Sequence, residues 1–188
     1  MIRPRIKDVP NLLSALRLLA APFAAWLILN NHDTAALLVF VGAGLSDGLD
    51  GFIARHWHVT SDFGAWLDPA ADKLLMILCL SALFAVGATP LWLLVLVVGV
   101  ASAIAAGWLL IKWLGLPIAT RTLLAGKAST MVQILYVLGV LLLLAFDLDA
   151  PRLAETAAWV CGLFTLFAAA AYAGLFLRGV FAGKPMTS

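Results

Sequence analysis

The 188-residue chain is 64% hydrophobic and only 12% charged, with a mean hydropathy of +1.05, whereas a soluble domain carries about a quarter charged residues. An apolar excess of this size cannot be hidden in one small core, which excludes a water-soluble globule and makes lipid the solvent. The net charge of only +2 says little about partners until the charges are placed along the chain; no nucleic-acid partner is expected.

Six segments meet the requirement of about 20 mostly apolar residues for a bilayer-spanning helix. In chain order they are 11–30, 35–56, 64–87, 90–113, 120–146 and 153–180. Ahead of the first, residues 1–9 carry Arg3, Arg5 and Lys7, and read either as a short interfacial segment on anionic headgroups or as a solvated basic tail. This start is not expected to be a cleaved signal peptide, because the apolar stretch after it is too long and lacks a small-residue cleavage site. The spans are parted by Asn30-Asn31-His32-Asp33, Gly87-Ala88-Thr89-Pro90, Leu114-Gly115-Leu116-Pro117 and Asp147-Leu148-Asp149-Ala150-Pro151, all of them turn-forming sequences. Cys79 and Cys161 sit inside apolar runs and read as small buried hydrophobes rather than a disulfide or metal pair. The expected architecture is therefore all-α and polytopic, a single membrane domain over 1–188.

The basic residues set the orientation. Arg3, Arg5, Lys7 and Arg17 lie at the start, Arg55 and Lys73 near the second loop, Lys112, Arg121 and Lys127 around the fourth, and Arg178 and Lys184 at the end, while Arg152 stands alone on the other side. Positive charge accumulates on the cytoplasmic side, so both termini and the loops after spans two and four are expected there.

At the cytoplasmic ends of spans two and three stands the stretch Asp47-Gly48-Leu49-Asp50-Gly51-Phe52-Ile53-Ala54-Arg55, followed eight residues later by Gly64-Ala65-Trp66-Leu67-Asp68-Pro69-Ala70-Ala71-Asp72. Residues three or four apart share a helix face, so Asp47 and Asp50 form one stripe and Asp68 and Asp72 another, facing each other across the short connection. Four carboxylates at membrane depth repel unless compensated. Hard cations such as Mg²⁺, Mn²⁺ or Ca²⁺ take oxygen ligands of this kind, and the lack of Cys and scarcity of His nearby argue against zinc. Four carboxylates can hold two ions, the arrangement that clamps attacking and leaving oxygens in phosphoryl displacement. A salt-bridge network with Arg55 and Lys73 is the plainer alternative, but it leaves four anions with two cations and does not explain the small residues. Gly48, Gly51, Ala54 and Gly64 leave room beside the carboxylates for a nucleotide or phosphate.

The pattern D-G-x-D-G-x-x-A-R-x8-G-x3-D-x3-D, spelled from Asp47 to Asp72, resembles the signature of the CDP-alcohol phosphatidyltransferase family. The resemblance implies transfer of a substituted phosphate from a CDP-linked donor, commonly CDP-diacylglycerol, to an alcohol with release of CMP. It implies that Asp47, Asp50, Asp68 and Asp72 bind two Mg²⁺ or Mn²⁺ ions and that Asp72 is also the general base. It further implies that Gly51 and Arg55, with Ser61, contact the CDP group, and that the enzyme works as a homodimer in a bacterial inner membrane. Pro10-Asn11-Leu12-Leu13-Ser14-Ala15-Leu16-Arg17 resembles the P-N-x-[LI]-[ST]-x-x-R opening of family members, whose Asn11 and Ser14 would reach the cytidine. Gly126-Lys127-Ala128-Ser129-Thr130-Met131-Val132-Gln133 resembles the G-K-x-x-T-x-x-Q segment of the phosphatidylglycerophosphate and cardiolipin synthases. There Lys127, with Arg121, would bind an acceptor phosphate or else serve as a positive-inside flank. One departure stands out: span four reads Leu91 to Ser102 with no charge at all, where such synthases usually carry an Arg followed by an acid for the acceptor pocket. Glycerol 3-phosphate or phosphatidylglycerol is the favoured acceptor, with serine, inositol or choline as alternatives. A divalent-cation transporter is the rival from another class, disfavoured because the last three spans offer no polar ladder across the bilayer.

Overall fold

A computed structural model describes the backbone at residues 9–57, 62–113 and 123–182, with side chains described at 16–46, 72–111, 113 and 123–177. Among the described residues the chain forms six α-helices: α1 (Val9–Leu29), α2 (Asp33–Trp57), α3 (Asp62–Ala85), α4 (Leu91–Trp113), α5 (Leu124–Ala145) and α6 (Pro151–Ala182). Each begins and ends within a few residues of an expected span. Three contain stretches long and apolar enough to cross a membrane: Leu91–Ile111, Leu124–Ala145 and Pro151–Leu177. Leu16–Leu29 and Asp33–Ser46 are shorter apolar stretches, and α3 carries Asp62, Asp68, Asp72 and Lys73 in its first half.

Three of the sequence breaks close by one device. At the end of α1 the His32 amide donates to the Leu27 carbonyl at 2.9 Å and the Asn31 amide to Ile28 at 3.0 Å. Asn31 sits at φ 57. The end of α3 repeats this, with Gly87 at φ 80 and the Ala88 amide reaching the Leu83 carbonyl at 2.8 Å. So does the end of α5, with Asp147 at φ 51 and the Leu148 amide reaching Leu143 at 2.8 Å. This is the Schellman closure, in which one left-handed residue turns the chain and satisfies carbonyls the helix would leave unpaired. Glycine adopts that conformation without strain, and Asn and Asp tolerate it better than most residues.

The helices divide into two compact units, Met1–Thr89 with Val137–Ala150, and Pro90–Tyr136 with Pro151–Ser188. In the first, α1 packs on both α2 and α3. Arg17, Ala21, Ala24 and Ile28 form a buried stripe on α1 at helical spacing, met by Ala36, Leu37, Phe40 and Ala43 of α2 and Leu75, Met76, Cys79, Leu80 and Leu83 of α3. In the second, α4 packs on α6. There Gly162 admits the Trp92 ring, and a Cβ at that position would lie 2.7 Å from it. Trp92 also stacks on Trp159 with centroids 4.6 Å apart. Both cysteines are free and buried. Burial among lipid-solvated helices supplies little hydrophobic driving force, so close fit and the few buried polar contacts hold the helices together.

Candidate active site

The residues of the aspartate signature fall on two helices of the first unit. Asp47, Gly48, Asp50, Gly51, Ala54 and Arg55 lie on the last part of α2, and Gly64, Asp68 and Asp72 on the first half of α3. Asn11 and Ser14 lie on the opening turns of α1. The helical backbone through both stretches keeps Asp47 with Asp50, and Asp68 with Asp72, each on one helix face. With a rise of 1.5 Å per residue, Asp47 stands about 15 Å from the end of α2 and Asp72 about 15 Å from the start of α3. Arg17 stands about 12 Å from the start of α1 by the same measure. The three positions are thus at similar distances from the helix ends assigned to the cytoplasmic side.

Asp72 is the member of the tetrad whose side chain is described. Arg17 Nη1 donates to Asp72 Oδ1 at 2.8 Å, joining α1 to α3. The arginine side chain is 1% exposed and the aspartate 42%. One end of the pair is therefore sealed in the helix contact while the other faces accessible space. A buried guanidinium must be paired and hydrogen-bonded to be tolerated, and its planar fork fixes the direction from which it holds a carboxylate. This corrects the reading of Arg17 as one more charge of the cytoplasmic flank. The signal was present in the sequence: Arg17 closes the P-N-x-L-S-x-x-R opening and lies one turn before Ala21, in register with the apolar stripe. Lys73 is exposed, and a cation bonded to Asp72 comes from another helix, α1.

The side chains of Asp47, Asp50, Asp68, Gly64, Ala54, Arg55, Asn11 and Ser14, and the surroundings of Gly48 and Gly51, lie outside the described residues. Ser61, Arg121 and residues 1–8 of the interfacial segment lie wholly outside them. Among the described residues no group of three or more His, Cys, Asp or Glu is gathered. The donor chemistry of the four aspartates is all-oxygen and anionic, which fits Mg²⁺ or Mn²⁺.

The third motif belongs to the second unit, where the structure separates its residues by role. Lys127 is exposed on the first turn of α5. Gly126 lies against α6, so that a Cβ there would sit 2.6 Å from Tyr172 Oη. Ser129 and Gln133 are buried. Gln133 Nε2 donates to Ser129 Oγ at 3.2 Å and to Thr165 Oγ1 at 3.1 Å, and Thr165 in turn donates to the Cys161 carbonyl at 2.9 Å. In a lipid-solvated bundle such a cluster joins helices, since its polar groups have no better partner. Ser129 and Gln133 are thus explained by the α5–α6 contact, while Lys127 is exposed and Thr130 half-buried.

Comparison with known proteins follows the same lines. The profile of the CDP-alcohol phosphatidyltransferases matches residues 7–170, and the chain belongs to that family. The cardiolipin synthase (CMP-forming) of Streptomyces coelicolor is 43% identical over 95 residues, covering 47% of this chain and 44% of that protein. The CDP-diacylglycerol–glycerol-3-phosphate 3-phosphatidyltransferase of Bacillus subtilis is 33% identical over 133 residues, covering 70% of this chain and 68% of that protein. Its namesake in Cereibacter sphaeroides is 41% identical over 91 residues, 46% of this chain and 41% of that one. The matched stretch thus spans less than half of the Streptomyces and Cereibacter proteins.

Proposed function

We propose that this protein transfers the phosphatidyl group of CDP-diacylglycerol to an alcohol and releases CMP, in phospholipid biosynthesis. The observation that carries the reading is the family match over residues 7–170, which contains every position of the aspartate signature. Asp47, Asp50, Asp68 and Asp72 hold two Mg²⁺ or Mn²⁺ ions at the donor pyrophosphate. When bound, these ions neutralise phosphate charge and polarise the reacting oxygens. Asp72 accepts the proton of the acceptor hydroxyl, whose oxygen forms the new bond to phosphorus. The phosphoanhydride bond then breaks and CMP leaves with its electron pair. Arg17 holds Asp72 in position for this. Gly48, Gly51, Ala54, Arg55, Ser61 and Gly64, with Asn11 and Ser14, accommodate the CDP donor, and Arg121 and Lys127 face the acceptor.

The acceptor is glycerol 3-phosphate or phosphatidylglycerol, a reading supported by relatives named as glycerol-3-phosphate phosphatidyltransferases and as cardiolipin synthases. All six helices cross a bacterial inner membrane as one domain, with the termini and the site cytoplasmic, and the enzyme is a homodimer. The test is CMP release by the purified protein given CDP-diacylglycerol and a panel of alcohols, with Mg²⁺, with Mn²⁺ and with a chelator. Metal-dependent CMP release that tracks one acceptor is expected, and Lys127→Ala raises that acceptor's KM selectively if Lys127 binds its phosphate. Metal-independent turnover would refute the role given to the aspartates.

A further inference from the structure

Arg17 and the four aspartates of the signature all belong to the first unit. Arg17 lies on α1, and Asp72 on the face of α3 that it shares with Asp68. A guanidinium keeps its charge at every working pH. The cation held 2.8 Å from Asp72 Oδ1 is therefore permanent, and it sits on a carboxylate that the transferase reading also gives to a divalent ion.

This cation cannot step aside. The Arg17 side chain is 1% exposed, and the stripe that continues it along α1, Ala21, Ala24 and Ile28, is fully buried. Moving the guanidinium would open that contact and part a buried charge from its partner. Lys73 differs, because it is exposed and its flexible stem lets the ammonium follow the headgroups. Asp72, at 42% exposed, is open to an ion arriving from the accessible side, and that ion has to share the carboxylate with Arg17. Metal affinity follows the charge of the ligand set, and an adjacent cation subtracts from it. Even through bulk water, a divalent and a unit charge about 6 Å apart repel by about tenfold in affinity. The packed α1–α3 contact screens less than water does.

We propose that Arg17 holds down the metal affinity of Asp72, so that the ion there binds firmly only together with the donor, whose pyrophosphate supplies the negative charge that Arg17 cancels. This deepens the reading of the aspartates as the metal centre and rests on it. A residue that merely fastened α1 to α3, or merely oriented Asp72, would give the opposite expectation: its loss would loosen a ligand and weaken metal binding.

The experiment titrates Mn²⁺ into the purified full chain in phosphatidylcholine nanodiscs, with and without CDP-diacylglycerol, and reads the free ion by electron paramagnetic resonance. Empty discs of the same lipids are subtracted. In the unaltered protein the donor is expected to tighten the weaker ion about tenfold or more. Arg17→Met is expected to tighten that ion about tenfold with no donor present, and so to reduce what the donor adds. Arg17→Lys keeps the charge and stays close to the unaltered protein. A Mn²⁺ affinity of Arg17→Met that is unchanged or weaker overturns the inference, as does a donor effect that is the same with and without the guanidinium. Where Arg17→Met does not fold, Arg17→Gln, which keeps a hydrogen-bond donor for Asp72 and no charge, is read in the same way. In the unaltered protein alone, ions held equally firmly with and without donor also overturn it. Absence of bound Mn²⁺ even with the donor present refutes the aspartates as a metal centre and the inference with them. The expected Mn²⁺ pattern without CMP release from any alcohol supports the inference and counts against the transferase reading itself.

Discussion

Replacing Arg17 by Met removes the guanidinium while keeping much of the apolar stem that fills the α1–α3 contact. Breaking a fully buried ion pair by deleting one partner costs about 3–5 kcal/mol, most of it from the charge left behind. Here the charge left behind is Asp72, which is 42% exposed and can recover water, so the expected loss is smaller, about 1–3 kcal/mol. The catalytic effect is the more telling one. An Asp72 no longer held from α1 has lost one of the contacts that fix its direction, and a misplacement of 1 Å at a reacting group costs about a hundredfold. The kcat of Arg17→Met is therefore expected to fall about a hundredfold, with the KM for CDP-diacylglycerol changed much less. Arg17→Lys keeps the charge without the fork and should recover stability better than rate. Thermal unfolding in detergent, steady-state kinetics per folded enzyme, and a double-mutant cycle with Asp72→Asn separate the two effects. A kcat unchanged per folded molecule would show that Arg17 only fastens α1 to α3. Strictly additive stabilities in the cycle would deny the contact itself.

Other outcomes follow from the same structure. Asp72→Asn is expected to abolish turnover while leaving CDP binding largely intact, checked by CMP release against nucleotide titration; retained turnover removes Asp72 as the base. Thr165→Val deprives Gln133 of one acceptor and should lower stability by about 1 kcal/mol, the scale of interhelical hydrogen bonds in membranes, measured by thermal unfolding without change in KM. Gly126→Ala forces a Cβ to within 2.6 Å of Tyr172 Oη and should cost about 1–3 kcal/mol through overpacking. Gly107→Ala, with nothing within 4 Å of its Cβ, should be neutral or stabilising by up to about 1 kcal/mol, as expected for Gly→Ala inside a helix. If the two glycine variants behave alike, the distinction between packed and open glycines is wrong.

The six helices and their ends were legible in the sequence because both signals are local. An apolar run of sufficient length forms a helix in lipid whatever lies beside it, since its backbone groups have no other partner. Asn31, Gly87 and Asp147 end their helices by their own left-handed backbone. The aspartate signature was legible for the same reason: Asp47 with Asp50 and Asp68 with Asp72 are related by helical spacing alone. What only the tertiary structure decided was which helix meets which. The charge of Arg17 reads equally as a membrane-flank cation or as a buried partner, and the choice depends on α1 lying against α3, a contact between residues 55 positions apart. Gly107 and Gly126 are likewise the same residue in similar apolar helices. Only the neighbouring helix, standing off from one and pressed against the other, makes the first a space and the second a contact.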